Sequence, residues 1–150
     1  MRPLDLSSFL PYRLSVLANR ISAQLASAYG VRFGITIPEW RVMAVLGQFE
    51  GVSADFVCKK TEMDRVTVSR AVARLLRKHY IKRIFEASDR RRSRLDLAAA
   101  GRAVYSQIVP LAQRYETTLV CALDTPAIAE LDCLIQKLQA QVSLIDRKGF

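Results

Sequence analysis

Apolar residues recur at three- and four-residue steps along most of this chain, and each such run predicts a helix. Leu10, Leu14, Leu17, Ile21, Leu25 and Ala28 form one stripe, predicting a helix from Leu6 to Tyr29. Pro11 falls near its start, where a proline is tolerated. Gly30 and Gly34 flank Val-Arg-Phe and read as a loop. A second helix is expected from about Pro38 to Gln48, with Trp40, Val42, Met43, Val45 and Leu46 mostly inside. After Gly51, Ser53 caps a short helix, Ala54 to Lys60, with Asp55 in its first turn. Thr61, Glu62 and Met63 make a tight turn.

The next run, Asp64 to Lys78, is the most informative. Val68, Val72, Leu75 and Leu76 give it one apolar face, and Asp64 is a suitable N-cap. Thr67, Ser69, Arg70, Arg74, Arg77 and Lys78 take the other positions. One face can enter a core while the other offers donors of the kind that read base edges and phosphates. An ordinary solvated basic face is the alternative reading of that pattern. Two short helices around a tight turn, the second basic, match a helix-turn-helix.

Short strands follow at Ile81–Glu86 and Ser93–Leu97, joined by a polar loop from Ala87 to Arg92. Three adjacent arginines in that loop repel one another, and a polyanion would relieve the repulsion. So placed, the hairpin reads as a wing that follows the phosphate backbone or enters the minor groove. Gly101 precedes a long helix to about Leu123 that Pro110 should kink. Thr125 is expected to cap a final helix striped by Ile128, Leu131, Leu134, Ile135, Leu138, Val142 and Ile145, with Pro126 at its first position.

Composition adds a location rather than a class. The 150 residues fit one domain, or one domain with an elaboration, and 51% apolar residues are ample for a core. The net charge is +9. Residues 59–94 carry thirteen Lys or Arg against four Asp or Glu, which is the whole excess. A basic window on a neutral body points to a polyanion-binding surface. Three cysteines without C-x-x-C spacing and a single histidine, His79, argue against a disulfide framework or a zinc site. There is no nucleophile motif and no phosphate-binding glycine loop, so no enzyme constellation, metal or cofactor is expected. The absence of a long apolar run or a signal core predicts a cytoplasmic, reduced protein away from membranes.

Four segments together resemble the MarR family of winged helix-turn-helix regulators. They are Ile-Pro-Glu-Trp-Arg-Val-Met-Ala-Val-Leu (37–46), Met-Asp-Arg-Val-Thr-Val-Ser-Arg-Ala-Val-Ala-Arg-Leu (63–75), Ser-Asp-Arg-Arg (88–91) and Gly-Arg (101–102). The resemblance implies a mainly α fold with a small β-hairpin wing. It assigns 37–98 to a DNA-binding domain and 1–36 with 99–150 to a helical dimerisation region. It further implies a homodimeric repressor on a pseudo-palindromic duplex, with half-sites about one helical turn, roughly 10 base pairs, apart. Major-groove contacts would come from Arg65, Thr67, Ser69, Arg70 and Arg74. Wing contacts would come from Asp89, Arg90, Arg91, Arg92 and Arg94, with Asp89 orienting the wing and Arg91 entering the minor groove.

In that family anionic aromatic ligands bind between the dimer helices and the winged domain. Tyr12, Arg13, Leu17, Arg20, Trp40 and Arg41 are the candidates here, suited to an aromatic carboxylate or an acyl-CoA; simple packing is the alternative for each. Two departures stand out. Ala98 replaces a common threonine, weakening the cap of the helix after the wing. Val57-Cys58-Lys59-Lys60 replaces a Leu-Ala pattern and adds charge. Cys58 beside two lysines opens a redox-sensing alternative, although the family's peroxide sensors carry their cysteine in the first helix. A non-specific nucleic-acid binder would share the basic window but bind without regard to sequence.

Overall fold

The computed structural model describes residues 3–86 and 89–148, excluding the side chains of 86, 89–92 and 148. Six helices and one hairpin follow in chain order: α1 (Leu10–Phe33), α2 (Ile37–Gln48), α3 (Ala54–Thr61), α4 (Arg65–Arg77), β1 (Ile81–Glu86), β2 (Asp89–Leu97), α5 (Ala99–Val120) and α6 (Thr125–Lys148). They divide into two compact units, Met1–Ala112 and Gln113–Phe150, and the boundary falls within α5.

The first unit holds the core. Tyr29 of α1, Val42, Met43 and Leu46 of α2, Val57 of α3, and Val68, Ala71, Val72 and Leu75 of α4 are buried together. Ile81, Leu95 and Leu97 of the hairpin join them, as do Val104 and Ile108 of α5. The apolar stripe read for α4 is the one that is buried, with Ala71 added and Leu76 half-buried.

β1 and β2 pair antiparallel, from Ile81 opposite Leu97 to Phe85 opposite Ser93. The register then shifts, placing Glu86 opposite Asp89, so positions 90–92 fall within the irregularity. The second strand therefore starts four residues before the expected Ser93. The strand backbone extends through the arginine run to Asp89, which apolar alternation cannot signal. The loop between α2 and α3 adds a single antiparallel bridge, Val52 to Leu95, with Leu95 N–H donating to the Val52 carbonyl at 2.8 Å. Beside it Gly51 N–H donates to Asp96 Oδ1 at 2.7 Å.

Four expected boundaries are corrected. α1 starts at Leu10 rather than Leu6, with Pro11 in its first turn, because a proline deeper in the helix would lack a donor and clash. It also runs through Gly30 and ends at Gly34, whose left-handed backbone (φ 62°) lets its N–H close on the Gly30 carbonyl at 2.8 Å. Gly101 lies inside the first turn of α5, not before it. A side-chain carbon there would stand 1.8 Å from the Tyr80 carbonyl oxygen, so glycine serves close approach rather than helix breaking. Asp124, not Thr125, caps α6: its Oδ1 accepts from Ala127 N–H at 2.9 Å and its carbonyl from Ile128. α5 continues unbroken through Pro110.

Candidate nucleic-acid interface

The tight turn before α4 is built from side-chain caps. Ser53 Oγ accepts from Phe56 N–H at 3.1 Å and starts α3. Glu62, in the left-handed region (φ 53°), ends it. Asp64 then opens α4: Oδ1 accepts from Thr67 N–H at 2.8 Å and Oδ2 from the Thr67 hydroxyl at 2.6 Å. Those bonds, the hydroxyl's first, hold the Asp64 carboxyl below its ordinary 3.8 against a small opposing effect of burial.

The outer face of α4 carries Arg65, Ser69, Arg70 and Arg74, all exposed. Arg65 lies 3.4 Å from Asp55 in an ion pair open to solvent, the kind a phosphate can displace at little cost. Arg70 and Arg74 border a concavity of about 200 Å³ with Thr36, Pro38 and Thr67. The Thr67 hydroxyl is already committed to Asp64, so Thr67 shapes the helix start as well as lying near its surface. Sequence reasoning missed Val66, 56% exposed and apolar within the basic helix, a side chain suited to a thymine methyl group.

Lys78 departs from the face assigned to it. Its ammonium turns inward, donating to Glu39 Oε1 at 2.8 Å and to the Gly34 carbonyl. The helix closes with Tyr80 N–H donating to the Leu75 carbonyl and His79 N–H to that of Leu76, His79 holding a left-handed backbone (φ 55°). On the hairpin, Arg94 is exposed and sits opposite Ile84. The contacts expected of Asp89, Arg90, Arg91 and Arg92 lie outside the described side chains.

The expected ligand residues separate into two groups. Tyr12, Arg13 and Arg20 line a concavity of about 410 Å³ along α1, floored by Leu10, Leu14 and Leu17. Trp40 and Arg41 are not part of it. The Trp40 ring lies between Tyr29, at 5.7 Å, and Tyr105, at 5.9 Å, while Arg41 donates to the Ser22 hydroxyl at 3.2 Å. Burial pushes the Tyr29 phenol up to about 12, against the pull of the Arg41 charge. Cys58 is half-buried against the core. Its neighbour Lys60 lies over the rings of Phe49 and Phe56, at 5.1 and 5.6 Å. Among the described residues no group of three His, Cys, Asp or Glu could hold a metal ion, and no helix is long and apolar enough to cross a membrane.

A capped basic helix after a tight turn, backed by a hairpin on the same core, defines a winged helix-turn-helix protein. Residues 33–92 match the MarR family model. A MarR/EmrR family transcriptional regulator from Acinetobacter sp. ADP1 superposes with a TM-score of 0.86 at 26% identity, over 94% of this chain and 99% of that one. The segment 33–92 thus matches the MarR family, and the chain shares the fold of a MarR/EmrR family transcriptional regulator. A mutant MarR from E. coli, complexed with operator DNA, has the same fold: TM-score 0.78, 22% identity, 91% of this chain and 99% of that one. So does the PcaV transcriptional regulator from Streptomyces coelicolor in complex with its natural ligand: TM-score 0.79, 23% identity, 93% and 98%. No curated protein matches the chain in sequence.

Proposed function

We propose that this protein is a cytoplasmic, sequence-specific repressor that binds a pseudo-palindromic operator as a homodimer. The observation that carries the reading is α4. Val68, Ala71, Val72 and Leu75 bury one face in the core, and the outer face offers Arg65, Ser69, Arg70 and Arg74 to solvent. Residues 37–98 form the DNA-binding domain, with α4 in the major groove and the wing, through Asp89, Arg90, Arg91, Arg92 and Arg94, over the minor groove. Residues 1–36 and 99–150 form the dimerisation region.

Two exposed stripes support the second copy. Leu10, Leu14 and Leu17 on α1 are each about half exposed, as are Leu131, Leu134, Leu138 and Val142 on α6. Apolar rows of that length are unusual on a surface that stays in water. An anionic aromatic effector, an aromatic carboxylate or an acyl-CoA, would bind through Tyr12, Arg13 and Arg20, whose two guanidinium groups border an apolar concavity. The likeness to a regulator solved with its natural ligand supports regulation by a ligand, and the two arginines beside the apolar floor support its class.

The test is fluorescence anisotropy on the duplex upstream of the protein's own gene, a shuffled duplex, and one selected from a random pool, at two salt concentrations. Preference for the native or selected duplex that persists at the higher salt, with two subunits per site, is expected. Equal affinity for all three, vanishing with salt, would overturn the reading in favour of a general polyanion binder.

A further inference from the structure

Glu39 is fully buried, yet it carries a charge. Its Oε2 accepts from Thr36 N–H at 2.7 Å, completing the capping box that starts α2. Its Oε1 accepts from Lys78 Nζ at 2.8 Å. The same ammonium donates to the carbonyl of Gly34, the residue that ends α1. Lys78 itself is the C-cap of α4. Two side chains thus join the end of α1, the start of α2 and the end of α4. Each charge sits where a helix dipole favours it, the carboxylate at an N-terminus and the ammonium at two C-termini.

Stability alone does not call for this arrangement. A capping-box glutamate works in water, and an ion pair that buries one partner, as here where Lys78 stays one third exposed, is often no more stable than an apolar pair of similar size. Direction is what the pair supplies. Of the four cations from Arg70 to Lys78, the three arginines face solvent and only the last turns back into the fold. Its two acceptors hold the C-terminal end of α4 at a set distance from α1 and α2.

We infer that Glu39 and Lys78 are positioning residues for DNA reading, resting on the sequence-specific reading above: they aim α4 without touching DNA through Glu39. Electrostatics makes the inference decisive, because it predicts the opposite sign. Removing a carboxylate from a basic protein strengthens its attraction to phosphates; removing a positioning contact misaligns base contacts and weakens specific binding.

Glu39→Gln tests this with little threat to folding, since glutamine also completes a capping box. Affinity is measured for the duplex that wild-type protein selects from a random pool and for its shuffled counterpart. Active concentration is fixed by stoichiometric titration, so unfolded protein does not enter the constant. Specific affinity is expected to fall about tenfold or more, shuffled-duplex affinity to change by less than about threefold, and the salt slope to stay unchanged. Lys78→Met should behave alike; a slope reduced by about one would instead make Lys78 a phosphate contact and overturn the inference. Equal or tighter specific binding by Glu39→Gln overturns it as well. Wild-type protein that does not distinguish the duplexes overturns the sequence-specific reading, and this inference with it.

Discussion

Gly101 offers a sharp test of how α4 is joined to the rest of the fold. A Cβ at this position would stand 1.8 Å from Tyr80 O, 2.7 Å from Tyr80 C and 3.1 Å from Tyr80 Cα. These are backbone atoms, so no side chain can swing aside. Restoring ordinary contact means moving from 1.8 to 3.4 Å, a separation of about 1.6 Å. The same carbonyl accepts from Ala98 N–H at 2.9 Å, and a shift of that size away from α5 breaks the bond. Overpacking costs about 1–3 kcal/mol and a lost, shielded hydrogen bond about 1–3 kcal/mol. Gly101→Ala should therefore destabilise by about 3 kcal/mol, a large share of the roughly 5–15 kcal/mol that holds a domain together. Urea titration at fixed protein concentration checks it, since association with a second copy would make the midpoint depend on concentration. Ala100→Ser, one residue earlier and exposed, is the control. A Gly101→Ala protein within about 0.5 kcal/mol of wild type would refute the close approach of α5 to the α4–β1 junction.

Three further outcomes follow from local geometry. His79→Gly should stabilise by about 0.5–1 kcal/mol, because a left-handed residue with a Cβ costs about 1–2 kcal/mol and glycine's extra unfolded freedom returns about half of that; a loss of stability in urea titration would contradict the strain. Ala98→Thr should add about 1 kcal/mol or less by placing a hydroxyl acceptor at a residue whose carbonyl already accepts from Arg102 N–H at 2.8 Å; an unchanged midpoint would show that Thr cannot reach the first N–H groups of α5. Finally, burial raises the Glu39 carboxyl, but hydrogen bonds from Lys78 and Thr36, with the Lys78 charge, overcome it and hold it below its ordinary 4.5. That contribution is full above the ordinary value and is lost as pH falls through the lower folded value. The wild-type melting temperature should drop below about pH 4.5 more steeply than that of Glu39→Gln, and parallel curves would count against a depressed Glu39.

What could be read from the chain was mostly short in range. Asp64 and Thr67 are three residues apart, as are Ser53 and Phe56, so caps, the tight turn and the α4 stripe follow from local spacing. The same reasoning placed Arg70 and Arg74 on the open face. It put Lys78 beside them because periodicity assigns a face without knowing what packs there; the partner, Glu39, lies 39 residues away. Gly101 read as a helix breaker because only the fold brings Tyr80 against it. Trp40 and Arg41 share a helix with the core rather than a concavity with Tyr12, a separation that residue chemistry cannot reveal. The Thr36-x-x-Glu39 spacing is a capping-box signal that the reading of the chain passed over, and it marks the carboxylate that residue type alone would leave at the surface.

The bridge from Val52 to Leu95 has a consequence for the DNA. It fastens the loop that leads into the helix-turn-helix to the base of the wing by backbone hydrogen bonding, and Asp96 adds a second tie at Gly51. These ties resist sliding of the hairpin against that loop. On the proposed reading, α4 and the wing would act as a gauge. Within a half-site the distance between the base pairs met by α4 and those met by the wing would be invariant. If two copies bind as proposed, an operator could vary in the gap between half-sites, where they would adjust to each other, but a single base pair inserted inside a half-site would leave α4 or the wing without its target.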